Sequence, residues 1–211
     1  MNASLPSNTP LTIPPCYKGL QSACLKVLNY SSAYFGPNSS SVLQSYLAQK
    51  LQVTLKSRNE DYVPVEFVNN WFLNLQPILN SANPYVRVCW LRTVCGGWTT
   101  SVRMHQETPF EKCFLGCREC EDTLSHYLAC PVLWSLSREI SGISELSPSV
   151  HTRLSLVNPH IDQLKLLAFC HALYHYAIND EECKLLFFNH SQPMLQRKLI
   201  SIGRQLKHQI T

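Results

Sequence analysis

The sequence predicts a mainly α protein, in which a helical domain carries a small zinc-stabilised turn-helix motif with three cysteine ligands and one histidine. Apolar residues recur at helical spacing in several segments, and no segment has the alternation of a sustained strand. Four of the ten cysteines lie within residues 113–131, CFLGCRECEDTLSHYLACP. Thiolate and imidazole are the ligands that structural zinc sites use, so this stretch predicts a metal site.

The first part of the chain is expected to be a leader followed by helices. Residues 1–15 are rich in proline and lack periodicity, which predicts a flexible leader. Residues 16–82 are expected to form an N-terminal helical region, and Pro77 is expected to kink or end its last helix. The helices of this region are predicted at residues 17–29, 41–56 and 65–79.

Residues 83–140 are expected to form the zinc-binding region. Asn83 is a favourable N-cap, and Pro84 suits the first position of a helix. Gly96 and Gly97 are expected to end that helix. Further helices are predicted at residues 99–106 (TTSVRMHQ) and 132–140 (VLWSLSREI), the second ending at Gly142.

Residues 141–211 are expected to form a C-terminal helical region. The pair Asn158-Pro159 is expected to open a helix that runs to about Ile178. The last segment, residues 194–209, is amphipathic and basic, and it predicts a helix with one apolar face.

The cysteine-rich stretch contains a turn pair and a helix pair of ligands. Cys113 and Cys117 flank Phe-Leu-Gly, where Gly116 allows a turn tight enough to aim both sulfurs inward. His126 and Cys130 are four residues apart, so they would share one face of a helix. The pattern C-x3-C-x8-H-x3-C therefore predicts a closed Cys3His zinc site. A closed site is structural, because it leaves no position open for water or substrate.

Asp122 is expected to be the N-cap of the helix that carries the second ligand pair. Two alternatives to the ligand set remain open at this level. Cys120 also forms a C-x2-C pair with Cys117, which would make Cys120 a ligand in place of Cys113. Alternatively, the cysteines are buried thiols in a helical core, as free cysteines often are.

The segments LRTVCGGWTTSVRMH (91–105), CFLGC (113–117) and DTLSHYLACPVLW (122–134) resemble the C-terminal zinc-binding region of non-LTR retrotransposon reverse transcriptases. That motif is a cysteine pair, an acidic residue with Thr or Ser, then H-x-L-x-x-C-P and a tryptophan. The resemblance covers about residues 84–135, and it differs from the common form in having three residues within each ligand pair. The matching residues are Cys113, Cys117, Asp122, Thr123, His126, Leu128, Cys130, Pro131 and Trp134, and the implied zinc ligands are Cys113, Cys117, His126 and Cys130.

The resemblance implies a non-catalytic piece of a retrotransposon polyprotein that assists the binding of RNA or DNA. A polymerase needs paired aspartates to hold its metal ions, and the sequence contains no Asp-Asp. The chain is also too short for fingers and palm. We therefore expect no enzyme activity and one structural Zn²⁺. The alternative is a zinc-stabilised structural or protein-interaction domain with no nucleic-acid role.

Basic residues before the zinc motif and in the last segment are the candidates for contacts with phosphates. A solvated face explains these charges equally well, since the net charge is only +4. The candidates are Arg87, Arg92, Arg103, Arg197, Lys198, Arg204 and Lys207.

Other aromatic and histidine residues are expected to pack rather than to bind a ligand. Three tryptophans near the motif (Trp90, Trp98 and Trp134) would stack on bases only if they were exposed, and packing around the zinc site is favoured. His171 and His175 are four apart but lack the glutamate of a zinc-protease motif, so they are expected in the core or at its boundary.

The N-terminal segment has no basic and apolar signal pattern, and no apolar run is long enough to span a bilayer. We therefore expect an intracellular protein, nuclear or cytoplasmic and not secreted. No membrane partner and no small-molecule substrate are expected.

Overall fold

The computed structural model describes residues 74–104, 112–117 and 121–210 of the 211-residue chain. Over these ranges the protein is mainly helical, as predicted, and no strand occurs in them. Residues 74–81 are helical. The helices that follow are α1 (Pro84–Val94), α2 (Leu124–Tyr127), α3 (Pro131–Ser141), α4 (Val150–Arg153), α5 (Ile161–Asn179), α6 (Glu181–Phe188) and α7 (Gln192–Ile210).

Helix α5 is the centre of the described fold, because α1, α3, α4, α6 and α7 all pack against it. Helix α7 also packs against α3 and α6. A helix that is buried on most sides must be apolar on most sides, and the middle of α5 fits this requirement. Its fully buried residues include Leu164, Leu166, Leu167, Phe169, Leu173 and Ala177.

Several predicted helix ends are confirmed. Asn83 caps α1 by accepting a hydrogen bond from the Tyr85 amide, and Pro84 follows at the first position. Gly142 ends α3 in the left-handed conformation, with φ of 76°. The basic helix predicted at residues 194–209 is α7, which starts two residues earlier than expected.

Other predicted elements differ from the structure. Helix α5 begins at Ile161 and is capped by His160, not by the Asn158-Pro159 pair. Residues 101–104 form a turn in place of the expected helix, with the Met104 amide donating to the Thr100 carbonyl and the Ser101 amide donating to Asp122. Residues 74–81 are helical on both sides of Pro77, so the helix does not end there. The short helices α4 and α6 were not predicted.

The hydrophobic core is one cluster that joins the cysteine stretch to the surrounding helices. It includes Leu75 and Leu79 before α1, and Leu195 and Ile210 in α7. The leader at 1–15, the helices predicted at 17–29 and 41–56, and Cys120 lie outside the described residues. The division at 83, 141 and the other expected boundaries stays a prediction.

Within the part of the chain that the structure describes, no helix combines the length and the apolar character that crossing a membrane requires.

Candidate metal centre

Three of the four predicted ligands converge on one point. The ligand atoms of Cys113, His126 and Cys130 all lie within 4.8 Å of one another. The two sulfurs, of Cys113 and Cys130, are 3.8 Å apart. Tetrahedral Zn²⁺ with Zn–S bonds of about 2.3 Å separates two sulfur ligands by about 3.8 Å. The spacing of the sulfur pair therefore fits a zinc ion without rearrangement.

The first ligand lies on a tight turn that Gly116 makes possible. The amide of Gly116 donates to the Cys113 carbonyl at 3.0 Å, and Gly116 has φ of 89°, which favours glycine. The Leu115 amide hydrogen-bonds to the Cys113 side chain and stabilises its thiolate form. At the far side of the turn, Gln192 donates its side-chain amide to the Leu115 carbonyl at 3.0 Å. The turn is thus bonded to the first residue of α7.

The histidine and the last cysteine come from two helices rather than one, which corrects the predicted shared face. Helix α2 is a single turn, and its N-cap is Thr123, whose hydroxyl accepts from the His126 amide at 3.2 Å. Cys130 is the N-cap of the next helix, α3, which begins at Pro131. Proline disfavours helical conformation in the residue before it, so Cys130 is not helical, and it lies between the end of α2 at Tyr127 and the start of α3 at Pro131.

Two long side chains hold the segment between these ligands in place. Trp134 donates its indole N–H to the Tyr127 carbonyl at 3.0 Å. Arg153 donates to the Leu128 carbonyl at 2.9 Å, and its guanidinium lies 4.3 Å from the centre of the Trp134 ring. Arg153 is itself buried and forms an ion pair with Glu145 at 2.6 Å. The carbonyl groups at the end of α2, which the helix leaves unpaired, are satisfied by these donors.

The sulfurs of the two buried cysteines are close enough to form a hydrogen bond, at 3.8 Å. The hydrogen bond with Cys130, helped by the nearby His126, lowers the pKa of the Cys113 thiol to about 5 against the cost of burial. The same hydrogen bond raises the pKa of Cys130 well above its usual range. The Nε2 atom of His126 is buried and has no hydrogen-bond partner among the described residues. An imidazole nitrogen without a partner, beside two sulfurs, is the donor set that zinc prefers.

The fourth predicted ligand, Cys117, is buried but does not belong to the group within 4.8 Å. It is nevertheless close enough for its charge to raise the pKa of Cys130. Cys120, the other candidate partner of Cys117 in the ligand set, lies outside the described residues.

Asp122 does not cap α2, as the sequence suggested, but is a fully buried acceptor of three hydrogen bonds. Its Oδ2 accepts from the Ser101 amide at 2.5 Å, and its Oδ1 accepts from the hydroxyls of Tyr127 and Tyr174 at 2.5 Å and 3.1 Å. A buried carboxylate is tolerated when such donors compensate for lost hydration. Trp98 packs against both tyrosine rings, with centroids 5.9 Å and 5.2 Å away.

The predicted phosphate contacts fall into two groups with different surroundings. Arg87, Arg92 and Arg103 are half-buried, and Arg103 donates to the Trp98 carbonyl at 3.4 Å. In α7, Arg197 and Arg204 are exposed. The remaining two are Lys198, which forms ion pairs with Asp180 and Glu182, and Lys207, which is half-buried.

The aromatic residues near the site pack in the core, as expected. Trp90, Trp98 and Trp134 are all buried, which excludes them as an exposed platform for bases. His171 is buried and His175 is half-buried, with stacked rings 5.8 Å apart, so both lie where the sequence placed them.

Sequence reasoning missed the supports of the site, namely Asp122 as an acceptor, Tyr174, Arg153 and Gln192. Asp122 and Thr123 are adjacent and both favour N-cap positions, so local rules do not distinguish them. The other three residues are distant in sequence, and no local pattern identifies them.

Comparison with known proteins adds nothing to this geometry: no family model matches the chain, and neither does any curated protein or solved structure.

Proposed function

We propose that the protein is a non-catalytic module stabilised by one structural zinc ion. The observation that carries the proposal is the convergence of Cys113, His126 and Cys130, with a sulfur pair at the spacing of a zinc tetrahedron and an imidazole nitrogen that lacks another partner. We assign Cys117 as the fourth ligand. Bound zinc supplies a cross-link between the turn at residues 113–117 and the start of α3, and it requires all three thiols to be deprotonated.

We further propose that the module is related to the C-terminal zinc-binding region of non-LTR retrotransposon reverse transcriptases. Support comes from the roles of the residues that match the motif. Cys113, His126 and Cys130 form the cluster, Thr123 caps the helix that carries the histidine, and Trp134 bonds to the end of that helix. The motif residues therefore build one local structure, which is what a motif that encodes a metal site requires.

Metal content of purified variants tests the site. We expect one zinc per chain in the wild-type protein, loss of zinc in Cys113→Ser, and near-normal zinc in Cys120→Ser, since three ligands leave a site open to water and chelators. Cys89→Ser is the matched control, because Cys89 is an equally buried thiol on α1 outside the cluster. Loss in Cys120→Ser with retention in Cys113→Ser would move the site to the Cys117–Cys120 pair. Absence of zinc from the wild-type protein would mean that the cysteines are only buried thiols of the core.

We propose assistance in binding RNA or DNA as a second function of the same module. It is supported by Arg197 and Arg204, which are exposed and seven residues apart, and so lie on one side of α7. The competing function is a structural or protein-interaction domain, in which these arginines are only a solvated face. Binding of a single-stranded RNA at increasing salt separates the two, because phosphate contacts weaken steeply as salt rises.

A further inference from the structure

The hydrogen bonds of Asp122 lead directly to the metal ligands. The hydroxyl of Tyr127 donates to Asp122 and accepts, at 3.1 Å, from the amide of Phe114. Phe114 follows the ligand Cys113, and Tyr127 follows the ligand His126. The Tyr127 hydroxyl therefore links the backbone next to Cys113 to the residue next to His126.

The same carboxylate also receives a hydrogen bond that does not reach the ligands. Tyr174, in the middle of α5, donates to Asp122 Oδ1 as Tyr127 does. The rings of the two tyrosines lie 4.4 Å apart, and both contact Trp98. The two tyrosines thus donate to the same oxygen and pack on the same tryptophan. Only the Tyr127 hydroxyl also bonds to the turn at residues 113–117.

We propose that Asp122 and Tyr127 are positioning residues that hold the Cys113 turn in place for the metal, an inference that rests on the proposed zinc site. Asp122 orients the Tyr127 hydroxyl, since Oδ1 accepts the hydrogen of that hydroxyl and leaves its lone pair facing the turn. The oriented hydroxyl presents its lone pair to the Phe114 amide and so holds the backbone of Cys113. Outer groups of this kind typically change metal affinity by about 10- to 100-fold.

The experiment compares Tyr127→Phe with Tyr174→Phe. Each variant removes one hydroxyl from the same carboxylate oxygen and keeps the aromatic ring, and only Tyr127→Phe also removes the acceptor of the Phe114 amide. Zinc affinity, measured by competition with a chromophoric chelator, should fall by about tenfold or more in Tyr127→Phe and stay within about twofold of wild type in Tyr174→Phe. The visible absorption of the Co²⁺-substituted protein reports the ligand geometry, and its tetrahedral band should weaken only in Tyr127→Phe.

Equal affinities and equal Co²⁺ spectra in Tyr127→Phe and wild type would overturn the positioning role while leaving the zinc site intact. Equal losses of affinity in both variants would also overturn it, because they would reflect destabilisation alone. A wild-type protein that binds neither Zn²⁺ nor Co²⁺ would instead refute the proposed function. The three failures are therefore distinguishable.

Discussion

Cys130 belongs both to the metal cluster and to the start of a helix. It is the N-cap of α3, and its sulfur lies 3.8 Å from that of Cys113. Which residues are the candidate ligands was predictable from their spacing, whereas the residues that hold them in place were not. Which of two adjacent capping residues, Asp122 or Thr123, turns inward is decided by donors that are distant along the chain.

The turn at Gly116 provides a prediction at this scale. In Gly116→Ala, a Cβ would meet the side-chain amide of Gln192 and would also be strained by the φ of 89°. Gly96→Ala is the matched control, because Gly96 has φ of 66° and open space around its Cα. Strain alone costs about 1–2 kcal/mol. We expect Gly116→Ala to lose more unfolding free energy than Gly96→Ala, and to bind zinc more weakly.

Urea unfolding and zinc competition measure these two effects. If both alanine variants lost the same stability and kept the same zinc affinity, the contact between Gly116 and Gln192 would have no energetic role.

The break between α2 and α3 is a feature of elements rather than residues. The spacing of His126 and Cys130 predicted that both lie on one helix face. The structure has two helices with Cys130 between them in a non-helical conformation, with φ of −56° and ψ of 114°. One continuous helix and two helices separated by a break can both bring His126 and Cys130 together. The spacing of the two ligands alone therefore did not distinguish these two structures. The restriction that proline imposes on the preceding residue was the deciding physical signal.

Helix α7 provides the prediction on nucleic-acid binding. Arg197→Gln with Arg204→Gln removes two exposed charges, whereas Lys198→Gln removes a charge that already pairs with Asp180 and Glu182. On single-stranded RNA, two lost phosphate contacts make the slope of log affinity against log salt shallower by about 1.4. We expect this change in the double variant and no change in Lys198→Gln.

Fluorescence anisotropy with a labelled oligonucleotide across a salt series measures the slope. Unchanged binding in the double arginine variant would remove α7 from the proposed interface and favour the structural alternative.

At the scale of the whole molecule, the helical class was predictable because apolar periodicity is a local property. Which helix would become the centre was not, since it depends on how the faces of several helices meet. The near-continuous apolar character of α5 was visible as the segment LLAFCHALYHYAI. His171 within it is buried, as expected, with its ring 5.4 Å from that of Trp98.

His171 predicts how the stability of the whole fold depends on pH. Burial, and then the charges of His175 and Arg92, lower its pKa from 6.5 to about 3. The unfolded chain therefore binds a proton between these values that the folded chain does not, so the stability present above pH 6.5 is lost as pH falls towards 3. At pH 5 this loss amounts to about 2 kcal/mol.

The test compares unfolding free energies at pH 7.5 and pH 5 for the wild-type protein and His171→Asn, each saturated with zinc. Protonation of the metal ligands affects both proteins alike, so the difference between their pH dependences isolates His171. We expect the variant to lose less stability on acidification, and parallel pH dependences would show that His171 titrates normally.

The residues that support the site are far along the chain from their hydrogen-bond partners, which matters during synthesis on the ribosome. All the proposed zinc ligands have been made once Cys130 is added, but Tyr174 follows Asp122 by 52 residues and Gln192 follows Leu115 by 77. A nascent chain therefore carries the complete ligand set well before the residues that support it. During that interval the thiols can meet metal, oxidant or chaperone without their final neighbours, and the site closes only after Gln192 has been made.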